Sequence, residues 1–142
     1  MTPLTLEQAQ TIVAAALRHA RQKAFQPLAV VVLDARGVLK AFAAEDGTSL
    51  RREEIARGKA HGAMAFGLGS RALAKRAADQ PSFIAAVTHA VGGSLVPVPG
   101  GVLIRAGTEI VGAVGISGDN SDNDEAAALA GISAAGLTGD PG

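Results

Sequence analysis

The stretch that decides the fold is Val96–Asp119, VPVPGGVLIRAGTEIVGAVGISGD. It predicts two short strands, Val102–Arg105 and Ile110–Ser117, joined by Ala106-Gly107-Thr108-Glu109, where Gly107 can take the positive φ that a tight hairpin needs. Pro97, Pro99, Gly100 and Gly101 introduce the first strand; they remove two backbone donors and add two flexible residues, which makes a stiff corner. Gly112, Gly115 and Gly118 recur every third residue, out of step with the two-residue period of a strand, so both faces carry a place where a backbone or a ligand can approach closely. This hairpin is expected to form one wall of the functional site, beside a recess shared between copies.

Downstream, Ser117–Glu125 is the most polar stretch, and an Ala-rich helix follows from about Asn123 to Ala135. Asp122 and Glu125 have capping-box spacing, and acids in a first turn are stabilised by the helix dipole. Asp119, Asp122, Asp124 and Glu125 could instead bind a hard cation or act as acid and base. The tail from Gly139 to Gly142 is expected to be mobile.

Upstream, Thr5 and Gln8 have capping-box spacing, and Leu6, Ala9, Val13, Ala16, Leu17 and Ala20 form one stripe of a helix running to about Gln22. His19 at the edge of that stripe reads as solvated. Leu28–Leu33 is a continuous apolar run of the kind a strand buried on both faces shows, Asp34-Ala-Arg-Gly37 is a turn, and Val38–Ala43 returns as a strand. The loop Glu45–Thr48 reads as solvated, since it lacks the ligand count calcium demands.

A helix opens at Arg51 and runs through Ile55 to Phe66. Gly58 and Gly62, with Ala56, Ala60 and Ala63, give it an unusually thin surface that calls for a close packing partner. Lys59 shares a side with Ile55, Gly62 and Phe66, so its ammonium either snorkels to water or serves as an anion anchor or catalytic group. His61 lies on another side, near Glu54, Arg57 and Ala65, as a polar edge, a subunit contact, or a metal, haem or acid–base residue. Ser70 is read as the cap of a short helix reaching Ala78, whose Arg71, Lys75 and Arg76 form a solvated face. Another helical segment covers Phe83–Ala90. His89 ends it, satisfied by the helix dipole or acting beside the Pro99-Gly100-Gly101 wall. A strand at Leu95–Val98 brings the count to five. The order predicts an α+β architecture, a five-stranded antiparallel sheet flanked by helices, layered as in profilin or PAS folds.

Composition narrows the function. At 142 residues and 14.2 kDa the chain reads as one domain, residues 1–142, long enough to stand on its own core. It has no cysteine, which excludes disulfides, thiolate metal sites and cysteine nucleophiles. Thirteen basic side chains balance thirteen acidic ones without a basic patch, so no nucleic-acid partner is expected. The N-terminus lacks a basic region with a long apolar core, and no run can span a bilayer, so no membrane partner and a cytoplasmic location are expected. Hydrophobic residues make up 48% but aromatic ones only 3%, which leaves flat aliphatic surface for which self-association is a natural outlet.

Taken together, Thr5-Leu-Glu7, Val30-Val-Val-Leu-Asp34, Gly58-Lys-Ala60, Pro97-Val-Pro-Gly-Gly-Val-Leu-Ile104, Gly112-Ala-Val-Gly-Ile-Ser-Gly118 and Asp122-Asn-Asp-Glu125 resemble the haem-degrading-domain family, also called GlcG/HbpS-like, over nearly the whole chain. The resemblance implies a five-stranded sheet flanked by helices, assembly into homo-oligomers, often octamers, and haem as cofactor in some members. With Cys and Tyr absent, His89 and His61 come first as axial ligands, with His19 and Met64 behind them. Three functions follow. The first is binding of haem or another small-molecule ligand by the oligomer, with haem degradation in its range. The second is a catabolic enzyme acting on a hydroxy acid or an aromatic breakdown product, with Lys59, Asp122 and Glu125 as catalytic residues. The third is a non-catalytic scaffold. Cofactor contacts are assigned to His89, His61, Pro99, Gly100 and Gly101, and no metal set is assigned.

Overall fold

A nine-residue strand, Glu109–Ser117 (β4), is buried from Val111 to its end and lies at the centre of the molecule. It pairs with Gly101–Ala106 (β3) through a hairpin in which Gly107 has φ 63°, as the sequence predicts. On its other side lies Ala29–Asp34 (β1), which pairs in turn with Leu39–Ala44 (β2). Thr138–Asp140 (β5) closes the sheet beyond β3, giving the antiparallel order β2-β1-β4-β3-β5. These elements belong to a computed structural model that describes residues 2–142.

Both faces of the sheet are covered, which is why β1 and β4 read as continuous apolar runs rather than alternating ones. Val30, Val32, Val102, Ile104, Val114 and Ile116 point to one side, into a core shared with Leu6–Gln22 (α1) and Ser121–Ala134 (α5). Val31, Leu33, Leu103 and Ala113 point to the other, against Ala56, Ala60 and Ala63 of Arg52–Phe66 (α2). Ser70–Asp79 (α3) and Pro81–Ala90 (α4) pack on each other at the end of α2, with Leu73, Ile84 and Leu95 buried between them. The capping box of α1 forms as read, with the Thr5 and Gln8 side chains each 3.0 Å from the other's backbone nitrogen.

Four local expectations are corrected. Leu95–Val98 is not a strand: Leu95 and Val96 lie across α2 at Gly62 and Gly58, with the Val96 N–H donating to the Gly58 carbonyl at 3.1 Å. The thin face of α2 therefore receives the chain's own segment. The fifth strand is β5, so the expected mobile tail is instead held in place. Arg105 binds Asp140 at 2.9 Å, and the Arg71 N–H donates to the Pro141 carbonyl at 3.2 Å. Its three residues are too few to show periodicity. The cap of α5 is Asn120, whose side chain accepts from the Asn123 N–H at 2.8 Å, and not the Asp122/Glu125 box. Ser70 does not cap α3; its hydroxyl accepts the Gly101 N–H at 2.7 Å.

The closest approach is at Gly115, where a Cβ would strike the Ala56 carbonyl of α2. Gly115→Val should force α2 off the sheet and cost about 1–3 kcal/mol or more, read as a lowered urea midpoint; an unchanged midpoint would mean that α2 yields freely.

Candidate functional site

Because α2 lies so close to the sheet, Lys59 cannot snorkel. It is 2% exposed, and its Nζ donates to the Ile116 carbonyl at 2.9 Å and to Asp124 Oδ2 at 3.1 Å. Asp124 is as deeply buried, and its Oδ1 accepts the Asp119 N–H at 3.0 Å. The Pro97–Gly101 corner closes over this pair. Gly100 sits at φ 122°, and a Cβ there would come 2.8 Å from both the Lys59 Nζ and the Ile116 oxygen. Gly100 and Gly101 are buried and Pro99 is half-buried. The corner is thus a lid on an ion pair. Burial pulls the Lys59 ammonium below its usual pKa, with Asp124 opposing, and the same burial raises Asp124, with Lys59 opposing. No buried side-chain nitrogen or oxygen among the described residues lacks a partner.

The rest of the acidic stretch is shared among anchors. Asp119 accepts the Gln26 N–H at 2.7 Å, the Asn120 N–H at 2.7 Å and the Asn123 Nδ2 at 2.8 Å, and these bonds, that from Gln26 foremost, hold its carboxyl below the usual 3.8. Asp122 and Glu125 both receive the Arg71 guanidinium, at 2.5 and 3.0 Å, tying α3 to α5. Lys59 is not part of that cluster. In the sequence its partner, Asp124, is only one acid among four. Arg52, which donates to the Ser117 hydroxyl at 3.1 Å, had no sequence signal at all. Among the described residues no group of three or more His, Asp or Glu is placed to hold a metal, and no helix is long and apolar enough to cross a membrane.

The histidines differ. His89 is exposed on the last turn of α4, a helix that packs on α3. His19 is half-buried, its ring meeting Phe25 edge-on at 5.7 Å between centroids. His61 is half-buried on the outward face of α2, and its Nδ1 lies 2.8 Å from the Ser94 carbonyl. A carbonyl only accepts, so Nδ1 carries the proton and Nε2 of the neutral ring keeps its lone pair. His61 also lines a recess of about 180 Å³ with Ala35, Arg36, Gly37, Met64 and Ala65. Arg57, one turn back, lines the next hollow along α2 with Glu53, Glu54 and Gly92–Ser94.

The model of the HbpS-like family, haem-degrading proteins, matches residues 4–133. The chain belongs to that family. The HbpS crystal structure is 30% identical, covers 94% of this chain and 90% of its own, and superposes with a TM-score of 0.80. A double mutant of Streptomyces reticuli HbpS gives 29% identity, 94% and 87% coverage and a TM-score of 0.80. PduOC, solved as a haem complex, has the same fold, with a TM-score of 0.86 at 24% identity over 96% of this chain and 97% of that one. No curated protein matches.

In this HbpS-like chain, then, two of the predicted contacts, Gly100 and Gly101, lie against Lys59, while His61 and His89 stand apart on different helices. If the Lys59–Asp124 pair is a structural lock, Lys59→Met strands a buried carboxylate and costs about 3–5 kcal/mol in urea unfolding, and Lys59→Met/Asp124→Leu recovers most of it; equal losses in the two variants would contradict the pairing. Asp119, with its folded pKa below 3.8, contributes stability that is full above 3.8 and fades as pH falls through the lower folded value. Asp119→Asn should therefore melt below the parent at neutral pH, and the gap should close in acid. A gap constant across the acid range would assign its cause elsewhere.

Proposed function

We propose that the chain binds haem, with His61 Nε2 as the iron ligand, within a homo-oligomer of the kind the family resemblance implies, an octamer. Arg36 and Arg57, which line the recesses on either side and pair within the chain with Asp34 and Glu53, turn to the propionates. The observation that carries the reading is the His61 ring. Its tautomer is set by the Ser94 carbonyl, the arrangement by which a backbone acceptor prepares the opposite nitrogen for a metal. Membership of the HbpS-like family and the 30% likeness to HbpS support the choice of ligand class.

The donor set fits the group: a neutral imidazole with a thioether, Met64, on the same recess, and a guanidinium at its rim. At about 180 Å³ the recess is smaller than the roughly 300–1,000 Å³ of a pocket that encloses a drug-sized ligand, so haem would lie partly on the surface or against another copy. When bound, haem supplies a redox-active iron and the porphyrin that degradation consumes. The chain's own part is to hold Nδ1 protonated and Nε2 free, and to exchange the Asp34 and Glu53 partners of Arg36 and Arg57 for the propionate carboxylates. In this reading Lys59, Asp122 and Glu125 serve the fold rather than a reaction, and His89 is a solvated helix end. His19 is the second reading for the ligand, since its half-buried ring has an aromatic neighbour and no ring hydrogen bond among the described residues.

Titration of the purified protein with hemin should give a saturable shift of the Soret band that His61→Ala abolishes and His89→Ala leaves intact. Loss of the shift in His19→Ala with retention in His61→Ala would move the site to α1. Retention in all three variants would overturn ligation by histidine.

A further inference from the structure

The inner stripe of α1, Ala9, Ile12, Ala16 and Ala20, is fully buried in the core. The next stripe round the helix, Leu6, Val13, Ala14 and Leu17, forms one wall of a groove of about 420 Å³ whose other wall is β2. From Leu6 to Leu17 that wall extends over roughly 16 Å of helix. Ala14 on α1 and Ala41 on β2 are small, which keeps the groove wide, and Leu6 and Phe42 remain 50% and 41% exposed along it. Two polar side chains complete the lining, Gln10 from α1 and Lys40 from β2.

Lys40 is half-buried and has no ionic partner among the described residues. It also borders the neighbouring hollow, where the one carboxylate is that of Asp34. That carboxylate is already taken: it accepts the Arg36 and Val38 N–H groups at 2.9 and 3.1 Å and the Arg36 guanidinium at 3.0 Å. An ammonium is thus left uncompensated at the margin of an apolar groove.

We infer that the groove binds a small monocarboxylic acid with an apolar body, its carboxylate on Lys40 and its body along the α1 stripe. Apolar walls with a few placed polar groups, in a volume within the roughly 300–1,000 Å³ of small-molecule sites, are the composition of a ligand pocket. The sign of the one unpaired charge selects an anion, and the Gln10 carboxamide adds a neutral donor to the same lining. A lysine that merely shields apolar surface with its stem gives no such selection, and the two cases separate by experiment. His61 is not among the lining residues, so this site is distinct from the one proposed for haem and stands whether or not haem binds there.

The probe is decanoate, titrated calorimetrically below the concentration at which it forms micelles, with decanol as its uncharged counterpart. Decanoate should saturate one site per chain. Lys40→Met should weaken it by about tenfold or more, the loss of a charge-assisted bond, and leave decanol binding unchanged. Ala14→Phe, at an exposed position that the fold does not depend on, should fill the groove and abolish both. His61→Ala should affect neither. Absence of saturable decanoate binding, equal affinity in Lys40→Met and the parent, retention in Ala14→Phe, or loss in His61→Ala overturns the assignment.

Discussion

The structure depends on how near the backbone of α2 lies to the sheet. Gly115 of β4 meets the Ala56 carbonyl, and Gly101 of β3 meets the Lys59 carbonyl, so no side chain separates the layers at either point. Small residues alone permit this spacing, and Ala56, Ala60 and Ala63 complete it. One consequence is a junction between α2 and the sheet built from Ala and Gly rather than from large side chains. Another is that a long cation on the inward side of α2 has no route to water.

Lys59 is that cation, and its burial dictates the polar arrangement around it. Its charge is met by the Ile116 carbonyl and by Asp124, from the first turn of α5. Asp124 in turn receives the N–H of Asp119, whose own carboxylate binds the Gln26 N–H between α1 and β1. A chain of charge-assisted bonds thus joins α2, β4, α5 and the α1–β1 connection. Single deletions leave a buried charge unpaired, so such a chain specifies one arrangement of the layers more than it adds to their stability. The proline-glycine corner belongs to this device. Gly100 is there because nothing larger fits over the ammonium.

Much of this was legible in the sequence. The hairpin at Gly107, the buried run of β1, the box at Thr5 and Gln8 and the thin face of α2 each carry a local pattern with a local cause. Other features have causes that are far away in the chain. The Leu95–Val98 stretch looks like a strand, but α2 offers it two glycine hollows and holds its Val96 N–H with the Gly58 carbonyl. β5 is too short to show a pattern and is held by Arg105 and Arg71 from other elements. Lys59 was legible as an oddity on a small-residue face, yet nothing local names Asp124, 65 positions on, as its partner. The corner's inner side was hidden for the same reason: a lid and a wall have the same composition, and only the depth of Lys59 shows that Gly100 and Gly101 close over it.

That depth also sorts the faces available for function. The inward side of α2 is closed to any ligand without moving Gly100 and Gly101. Its outward side is not. Glu53, Glu54, Arg57 and His61 follow one another there at helical spacing, bordered by the Asp34–Gly37 turn and by Gly92–Ser94. The Ser94 carbonyl reaches this row and fixes one ring nitrogen. The same Leu95–Val96 strap that seals the glycine hollows positions Ser94, so the packing that hides the lysine also orients the histidine. A rigid element with one face fused to the sheet and a preorganised donor on the other is a better support for a planar ligand than a mobile loop. A ligand held by His61 Nε2 would lie at the surface, since the recess there is about 180 Å³.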